Sequence, residues 1–429
     1  MKRIHEDRMS KTKLRHKLIT ALDLGTTKMC CFIAEVISDG SLHILGFNNQ
    51  VSHGIRNGSI VDMNEVETSI RATVEGAEQM AKIRINDVVI NISSGQPTSQ
   101  IIDFTKTISG HEINDNDIQS ILDYARHNYM AQSTDQSLIH SIPIGFTIDN
   151  NEKINDPHGM SGEFLSMTLH LISANSRSIH NLSTVVQRCN LDIETHVISA
   201  YASGLACVVN DERDLGVTCI DMGGGTTKIA MFHNGHLIHT DIITIGGAHV
   251  TNDIARVLST SLVHAERIKT LYGNALSSPS DDHETLDVPI IGEEEDGVVN
   301  QITRSMLIKI IQSRLKETFE SIRERITTSG FDKIANNRII LTGGGAQLQG
   351  ICNLASTILN KQVRIGRPLN ILGLSETTNG PSFSTCVGLM RYVLLHSSAE
   401  GSIMKTTSDI NLKDTGKLNS LASWLNKIF

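Results

Sequence analysis

The sequence predicts an α/β protein built from two related halves that face each other across a cleft. Three observations carry this. The phrase "ALDLGTTKMCCF" near the start returns in the middle as "CIDMGGGTTKIAMF", with an aspartate at Asp23 and again at Asp221. Each copy heads the same succession of apolar strand-like run, glycine-bearing turn, further strand-like runs and a segment of helical period. A third strand-like run, "RIILT", ends in three glycines and feeds a helix. The interval between the copies far exceeds a solenoid repeat, so the pattern is a duplicated half and not an array. Opposed α/β halves leave a crevice where ligands commonly bind.

The elements follow in order. Residues 1–17, "MKRIHEDRMSKTKLRHK", are basic and lack the apolar stretch of a secretory signal, so they read as a disordered arm. "HKLITALDLGTTKMCCFIAEVIS" gives two strands joined through Gly25, Thr26 and Thr27, and "SLHILGFNNQ" extends the antiparallel set. "MNEVETSIRATVEGAEQMAKI" has helical spacing of its apolar residues and leads to the strand "DVVINIS". Residues 95–173 have a strand–helix–strand character of their own and read as an inserted subdomain. After Gly216 the first order returns, through "GVTCIDMGGGTTKIAMFHNGHLIHTDIIT" and the helix "AHVTNDIARVLS". The polar, acidic stretches "NALSSPSDDHETLD" and "IGEEEDG" read as loops.

Composition bounds the function. The chain has 429 residues, enough for several domains, and its aromatic content of 4% makes the cores mostly aliphatic. A net charge of −8 argues against nucleic acid as a partner, which needs basic surface to displace counterions. The 7 cysteines are scattered, without CxxC pairs, and none of the 18 histidines falls in an HExxH pattern, so neither a disulfide framework nor a zinc site is indicated. No run of about eighteen apolar residues exists to span a bilayer, and the cytoplasm is the expected compartment.

The repeated phrase has a chemical reading. An aspartate at the end of a buried strand, followed by glycine, sits at the mouth of the cleft. Glycines let backbone N–H groups approach an anion closely, threonine hydroxyls add donors, and the carboxylate holds the waters of a divalent cation. One loop grips one side of a polyphosphate and the second, from the other half, grips the opposite side. Neither is a Walker loop, because GxxxxGK[ST] is absent. "ILTGGGAQLQG" suits close backbone approach to a sugar or base. Glu266 and Lys269 in "HAERIKTLYG" share a helical face; alone, they read as a surface ion pair.

Taken together and in this order, "DLGTTK", "DMGGGTTK", "AERIKTLYG" and "LTGGGAQLQG" resemble the actin/heat-shock-chaperone/hexokinase ATPase superfamily. More narrowly, "DERDLGVTCIDMGGGTTKIAMFHNGHLIHT", "TGGGAQLQGICNLASTILNKQVRIGRPLNILGL" and the ending "SWLNKIF" resemble the FtsA family of bacterial division proteins, over essentially Lys17 to Phe429. The resemblance implies ATP with magnesium in the cleft, Asp23 and Asp221 orienting the hydrated metal. It implies Gly25, Thr26, Thr27 and Lys28 as the first phosphate loop, and Gly223, Gly224, Gly225, Thr226 and Thr227 as the second. Glu266 and Lys269 would meet the ribose and adenine edge, and Gly343, Gly344, Gly345 and Gln347 the adenosine. Strand alternation leaves open whether Lys28 and Lys228 face the cleft.

The resemblance also implies subdomains: 18–94 with 174–206 and 371–396 (IA), the insert 95–173 (IC) as a filament contact, 207–243 with 331–370 (IIA), and 244–330 (IIB) as the arm that docks the FtsZ C-terminal tail. Arg304, Lys309 and Arg314 are the candidate cations for that acidic tail. Self-assembly into an actin-like filament and contact with other division proteins at the septum are further implied. One departure is informative. Vigorous ATPases of the superfamily place a Glu or Gln just before the second clamp, to position the attacking water; "HVISAYASGLA" offers only Ser199 and Ser203 there. Slow or negligible hydrolysis is expected.

The chain closes with a polar linker, 397–416, and "LNSLASWLNKIF". Leu418, Leu421, Trp424, Leu425 and Ile428 form one helical stripe, with Phe429 beside it and Lys417 and Lys427 flanking. Such a helix docks on a protein or lies in a membrane interface; linker, tryptophan and terminal position favour the inner face of the cytoplasmic membrane. Burying its side chains yields roughly 8–15 kcal/mol gross, and ordering the segment costs about as much. One copy therefore binds reversibly, and a filament gains avidity. A sugar kinase of the same superfamily would gain nothing from this tail, and a chaperone ATPase would need a peptide-binding domain for which too little chain follows Arg391.

Overall fold

The two runs flanking the first glycine turn are apolar on both faces, which a strand tolerates only at the centre of a covered sheet. The computed structural model places them there. Leu18–Leu24 and Lys28–Val36 are buried along almost their whole length, and the sheet runs Asp192–Ile198, Asp87–Ile92, Leu18–Leu24, Lys28–Val36, Leu42–Val51, with Ile371–Leu372 at its edge. The structure describes residues 18–37, 41–132, 135–149, 151–292, 299–334, 338–369, 371–373 and 379–397. The basic arm 1–17, the terminal stretch 417–429 and all of the linker but residue 397 lie outside the described residues.

The second sheet repeats the first. Its order is His236–Ile243, Thr227–His233, Val217–Met222, Arg338–Thr342, Gln362–Ile365. In both sheets the aspartate strand pairs antiparallel with the next strand and parallel with a strand that arrives by crossover. A helix crosses over in each half: Met63–Ala81 in the first, and a path through Gly247–Leu258 in the second. The two halves differ in where extra chain is let in. The first half opens after Asp87–Ile92 and the second after His236–Ile243.

The insert in the first half is a four-stranded sheet, Thr98–Thr107, Phe164–Asn175, Gln136–Ile148 and Asn151–Ile154, covered by the helix Asp115–Gln132. It buries a core of its own around Phe104, Ile121, Phe146 and Leu169. The insert in the second half adds the helices Leu262–Tyr272 and Arg304–Thr328 and a hairpin of Thr285–Pro289 with Val299–Thr303. Here the structure corrects one expectation. "NALSSPSDDHETLD" is not all loop, since it contains the helical turn Pro279–Asp282 and runs into the first strand of this hairpin.

Between the sheets lie two crossing helices, Ser199–Cys207 and Ser384–Ser397. A Cβ on Gly388 would fall 1.7 Å from the Ala202 carbonyl oxygen, and one on Gly204 would fall 2.4 Å from the Phe232 ring. Backbone touches backbone here, and the largest core continues through both helices from the first sheet into Cys219, Phe232 and Ile340 of the second. The floor of the cleft is thus a close-packed hinge. Among the described residues no helix is long and apolar enough to cross a membrane.

Candidate functional site

Each aspartate is the penultimate residue of its strand, so its carboxylate emerges where the strand gives way to the glycine turn. The turns meet across the cleft. A Cβ on Gly224 would lie 2.3 Å from Thr27 Oγ1, and one on Gly225 would lie 2.5 Å from Thr26 Oγ1, so only glycine fits at both places. Thr26 Oγ1 also accepts from the Gly58 N–H at 3.0 Å. The second turn is braced from behind: the N–H groups of Gly247 and Ala248, at the start of a helix, donate to the carbonyls of Gly223 (2.9 Å) and Gly224 (2.8 Å).

Asp23, Asp221, both turns, Lys28, Lys228, Ser93, Gly343, Gly344 and the Pro381–Ser382 turn line one cavity of about 170 Å³. This is smaller than the roughly 300–1,000 Å³ that envelops a whole small molecule, so the turns enclose only the part of a ligand that lies between them. The two lysines and the glycine turns of this lining suit a polyphosphate.

The two aspartates have different surroundings. Asp23 Oδ1 accepts from Asn91 Nδ2 at 2.7 Å, and Asn91 Oδ1 in turn accepts from the Leu24 N–H at 2.7 Å. Burial holds the Asp23 carboxyl up at about 6, against the pull of Lys228 and Lys28 and with Asp221 adding to the rise. Asp221 Oδ2 accepts from Ser203 at 2.9 Å, from Thr385 at 3.2 Å and from Lys228 Nζ at 3.4 Å. Magnesium usually takes a few carboxylates together with water and phosphate oxygens. The pair of carboxylates that the resemblance implies is not matched here: each keeps one oxygen without a hydrogen-bond partner among the described residues, but Asp221 alone carries a buried lysine on its other oxygen. Nor, among the described residues, do three His, Cys, Asp or Glu side chains gather as a metal site.

Lys28 and Lys228 both face the cleft. Lys28 Nζ donates to the Ser382 carbonyl at 2.6 Å and stands 3.6 Å over the Phe383 ring. Thr227, expected in the second loop, is instead the first residue of the next strand, and its hydroxyl donates to the Ile245 carbonyl at 2.7 Å. Glu266 and Lys269 form an ion pair at 2.6 Å on the helix Leu262–Tyr272. Lys269 Nζ also reaches Thr251 Oγ1 at 2.8 Å and the Gly247 carbonyl at 3.3 Å, so the pair is tied to the helix start that braces the second turn. Gly345 packs on Met222 and lies beside Gly247. Gln347 ends a short 3₁₀ turn, Gly344–Gln347, and the α-helix that follows starts only at Ile351. Neither lines the cavity.

Sequence reading missed Asn91, Thr385, the part Ser203 plays as a partner of Asp221, and the orientation of Lys228. Asn91 had a signal, being the one polar residue inside the apolar run "VVINI". Lys228 had one too. It lies directly opposite Asp221 in the antiparallel register, and opposed residues share a face of the sheet. Ser203 and Thr385 are far apart in sequence and had none.

The candidate cations of the second-half insert are mostly engaged. Arg314 binds Asp253 at 2.5 and 3.0 Å and Glu317 at 2.7 Å; Arg304 binds Glu284 at 2.8 Å. Lys309 is exposed and has no ion-pair partner among the described residues.

The profile described as "Cell division protein FtsA" matches residues 218–388, and that of the "SHS2 domain inserted in FTSA" matches 94–173. Among curated proteins, the cell division protein FtsA of Rhizobium meliloti is 39% identical over 97% of this chain and 96% of its own length. The chain belongs to the FtsA family. The FtsA of Escherichia coli K12 is 31% identical over 96% of this chain and 98% of its own. Among solved structures, a type IV pilus biogenesis complex of PilM and PilN superposes with a TM-score of 0.64 at 15% identity, covering 88% of this chain and 98% of that one. MreB5 of Spiroplasma citri bound to ADP gives 0.53 at 13% identity, covering 87% and 94%. The fold of this FtsA-family chain is therefore that of the actin-like ATPases, with an SHS2 domain inserted in the first half.

Proposed function

We propose that this chain binds ATP between its two glycine turns, assembles into an actin-like filament, and tethers FtsZ to the inner face of the cytoplasmic membrane at the septum, where later division proteins join. The observation that carries the nucleotide reading is the meeting of the two turns across the cleft, with Thr26 and Thr27 against Gly225 and Gly224. A ligand held by both turns links the halves and favours one cleft angle. Filament contacts that span the halves then depend on nucleotide. The insert of residues 95–173 supplies the filament contact in this reading, and the arm of 244–330 receives the acidic tail of FtsZ, with Lys309 as the available cation.

Hydrolysis is slow in this reading. Ser199 and Ser203 hold Ile92 and Asp221. The nearest amide, Asn91, is committed to Asp23, Ser93 and Ser199. Among the described residues that line the cavity there is no Glu or Gln to orient an attacking water in the way active ATPases require.

Co-sedimentation with liposomes containing anionic lipid tests the tether. The full chain is expected to pellet, more strongly with Mg-ATP, and a chain ending at Gly416 to stay in solution. Equal pelleting of the two would remove the membrane role from the tail.

A further inference from the structure

The two phosphate turns close in the same hairpin register, but their lysines sit at different positions in it. The first aspartate and its lysine stand as Asp-Leu-Gly-Thr-Thr-Lys, the second as Asp-Met-Gly-Gly-Gly-Thr-Thr-Lys. In the first hairpin Asp23 faces Cys30, and Lys28 lies outside the aspartate's pair, at the mouth of the cleft. In the second hairpin the equivalent position is taken by Lys228, which stands directly opposite Asp221. Their side chains share a face, and Lys228 Nζ reaches Asp221 Oδ2 at 3.4 Å with only 7% of the residue exposed. A Cβ on Gly223 would stand 3.2 Å from that nitrogen, so the ammonium lies directly under the turn that faces the ligand.

We propose that Lys228 is a built-in cation of the cleft, which takes over part of the charge neutralisation of a bound polyphosphate and makes nucleotide binding largely independent of a divalent metal. The inference rests on the cleft taking a nucleotide. Lysine binds phosphate as a compact point charge, and at this site it is partly desolvated, so its attraction for phosphate is stronger than in water. The same ammonium opposes a dication beside Asp221, both by like-charge repulsion and by engaging the carboxylate. Ser203 and Thr385 hold that carboxylate in place from the hinge helices, so it does not need Lys228 for its orientation. When phosphate arrives, Nζ has only to turn from one anion to the next.

The test is the affinity of the full-length chain for ATP, measured by calorimetry in magnesium and again in EDTA. The parent protein is expected to bind in EDTA within about tenfold of its affinity in magnesium, a difference under about 1.4 kcal/mol. Lys228→Met is expected to lose most of its affinity in EDTA and to keep most of it in magnesium, so that metal dependence rises by tenfold or more. Lys228→Arg keeps the charge and is expected to retain more affinity in EDTA than Lys228→Met, which separates loss of charge from loss of packing; thermal melts identify any variant that has not folded. A parent whose binding collapses in EDTA overturns the proposal and leaves the nucleotide reading standing. Equal metal dependence in parent and Lys228→Met also overturns it, making the lysine a structural partner of Asp221. Absence of ATP binding in magnesium overturns the nucleotide reading itself, and this inference with it.

Discussion

Gly224 and Gly225 show how a single missing Cβ sets the state of the cleft. With Thr27 Oγ1 2.3 Å from the position of a Cβ on Gly224, alanine there either pushes the two halves apart or strains the second turn. Overpacking of this kind costs about 1–3 kcal/mol, so Gly224→Ala is expected to lower the melting temperature and to weaken ATP binding. Thr27→Gly in the same chain removes the opposing atoms and should restore part of both. An unchanged melt and affinity in Gly224→Ala would mean that the turns do not meet as described. At this scale the position of the turns and their aspartates at strand ends was legible in the sequence, because glycine runs after apolar strands announce themselves. It did not settle that Asn91 holds Asp23, which depends on the parallel pairing of two distant strands, nor that Lys228 holds Asp221, which depends on the hairpin register.

At the level of elements, the helices Ser199–Cys207 and Ser384–Ser397 decide how the halves are joined. The atom that a Cβ on Gly388 would strike is the backbone oxygen of Ala202, which no rotamer change can move aside. Gly388→Ala is therefore expected to destabilise the protein by about 3 kcal/mol or more, read as a shift of the urea midpoint at constant slope. A change under about 1 kcal/mol would show that the hinge has slack. The strands around both turns were legible, because a buried strand reads as a continuous apolar run. The hairpin of Thr285–Pro289 with Val299–Thr303 was not: its strands are short, half exposed and rich in polar residues, and their pairing, not their composition, makes them strands.

Across the whole molecule, the inserted domain is locked to both halves by buried histidines. His140 Nε2 accepts from the Ile198 N–H at 3.1 Å, and its ring packs against Tyr201 and Tyr392. His170 Nδ1 donates to the Leu237 carbonyl at 2.7 Å, and Ser99 links its other nitrogen to His239. Burial pulls His140 down to about 3, helped by His396, His170 and His196, and pulls His170 down to about 4. Unfolded histidine titrates near 6.5, so the unfolded chain binds more protons between these values, and stability falls as pH falls through that window. Each such histidine contributes up to about 1.4 kcal/mol per pH unit. The melting temperature is expected to drop steadily below pH 6.5, with a shallower slope in His140→Gln or His170→Gln; identical slopes would place the acid sensitivity elsewhere.

The sequence by itself determined the duplicated α/β plan, the two turns with Asp23 and Asp221, and the inserted segment, because apolar period, glycine position and internal repetition are properties of the chain read locally. Only the tertiary structure decided which partner each aspartate receives, that Arg304 and Arg314 are engaged in ion pairs, and that the insert touches both halves. Apart from Lys228, which the hairpin register sets opposite Asp221, these depend on residues brought together from distant parts of the chain, whose meeting is fixed by the packing of whole elements.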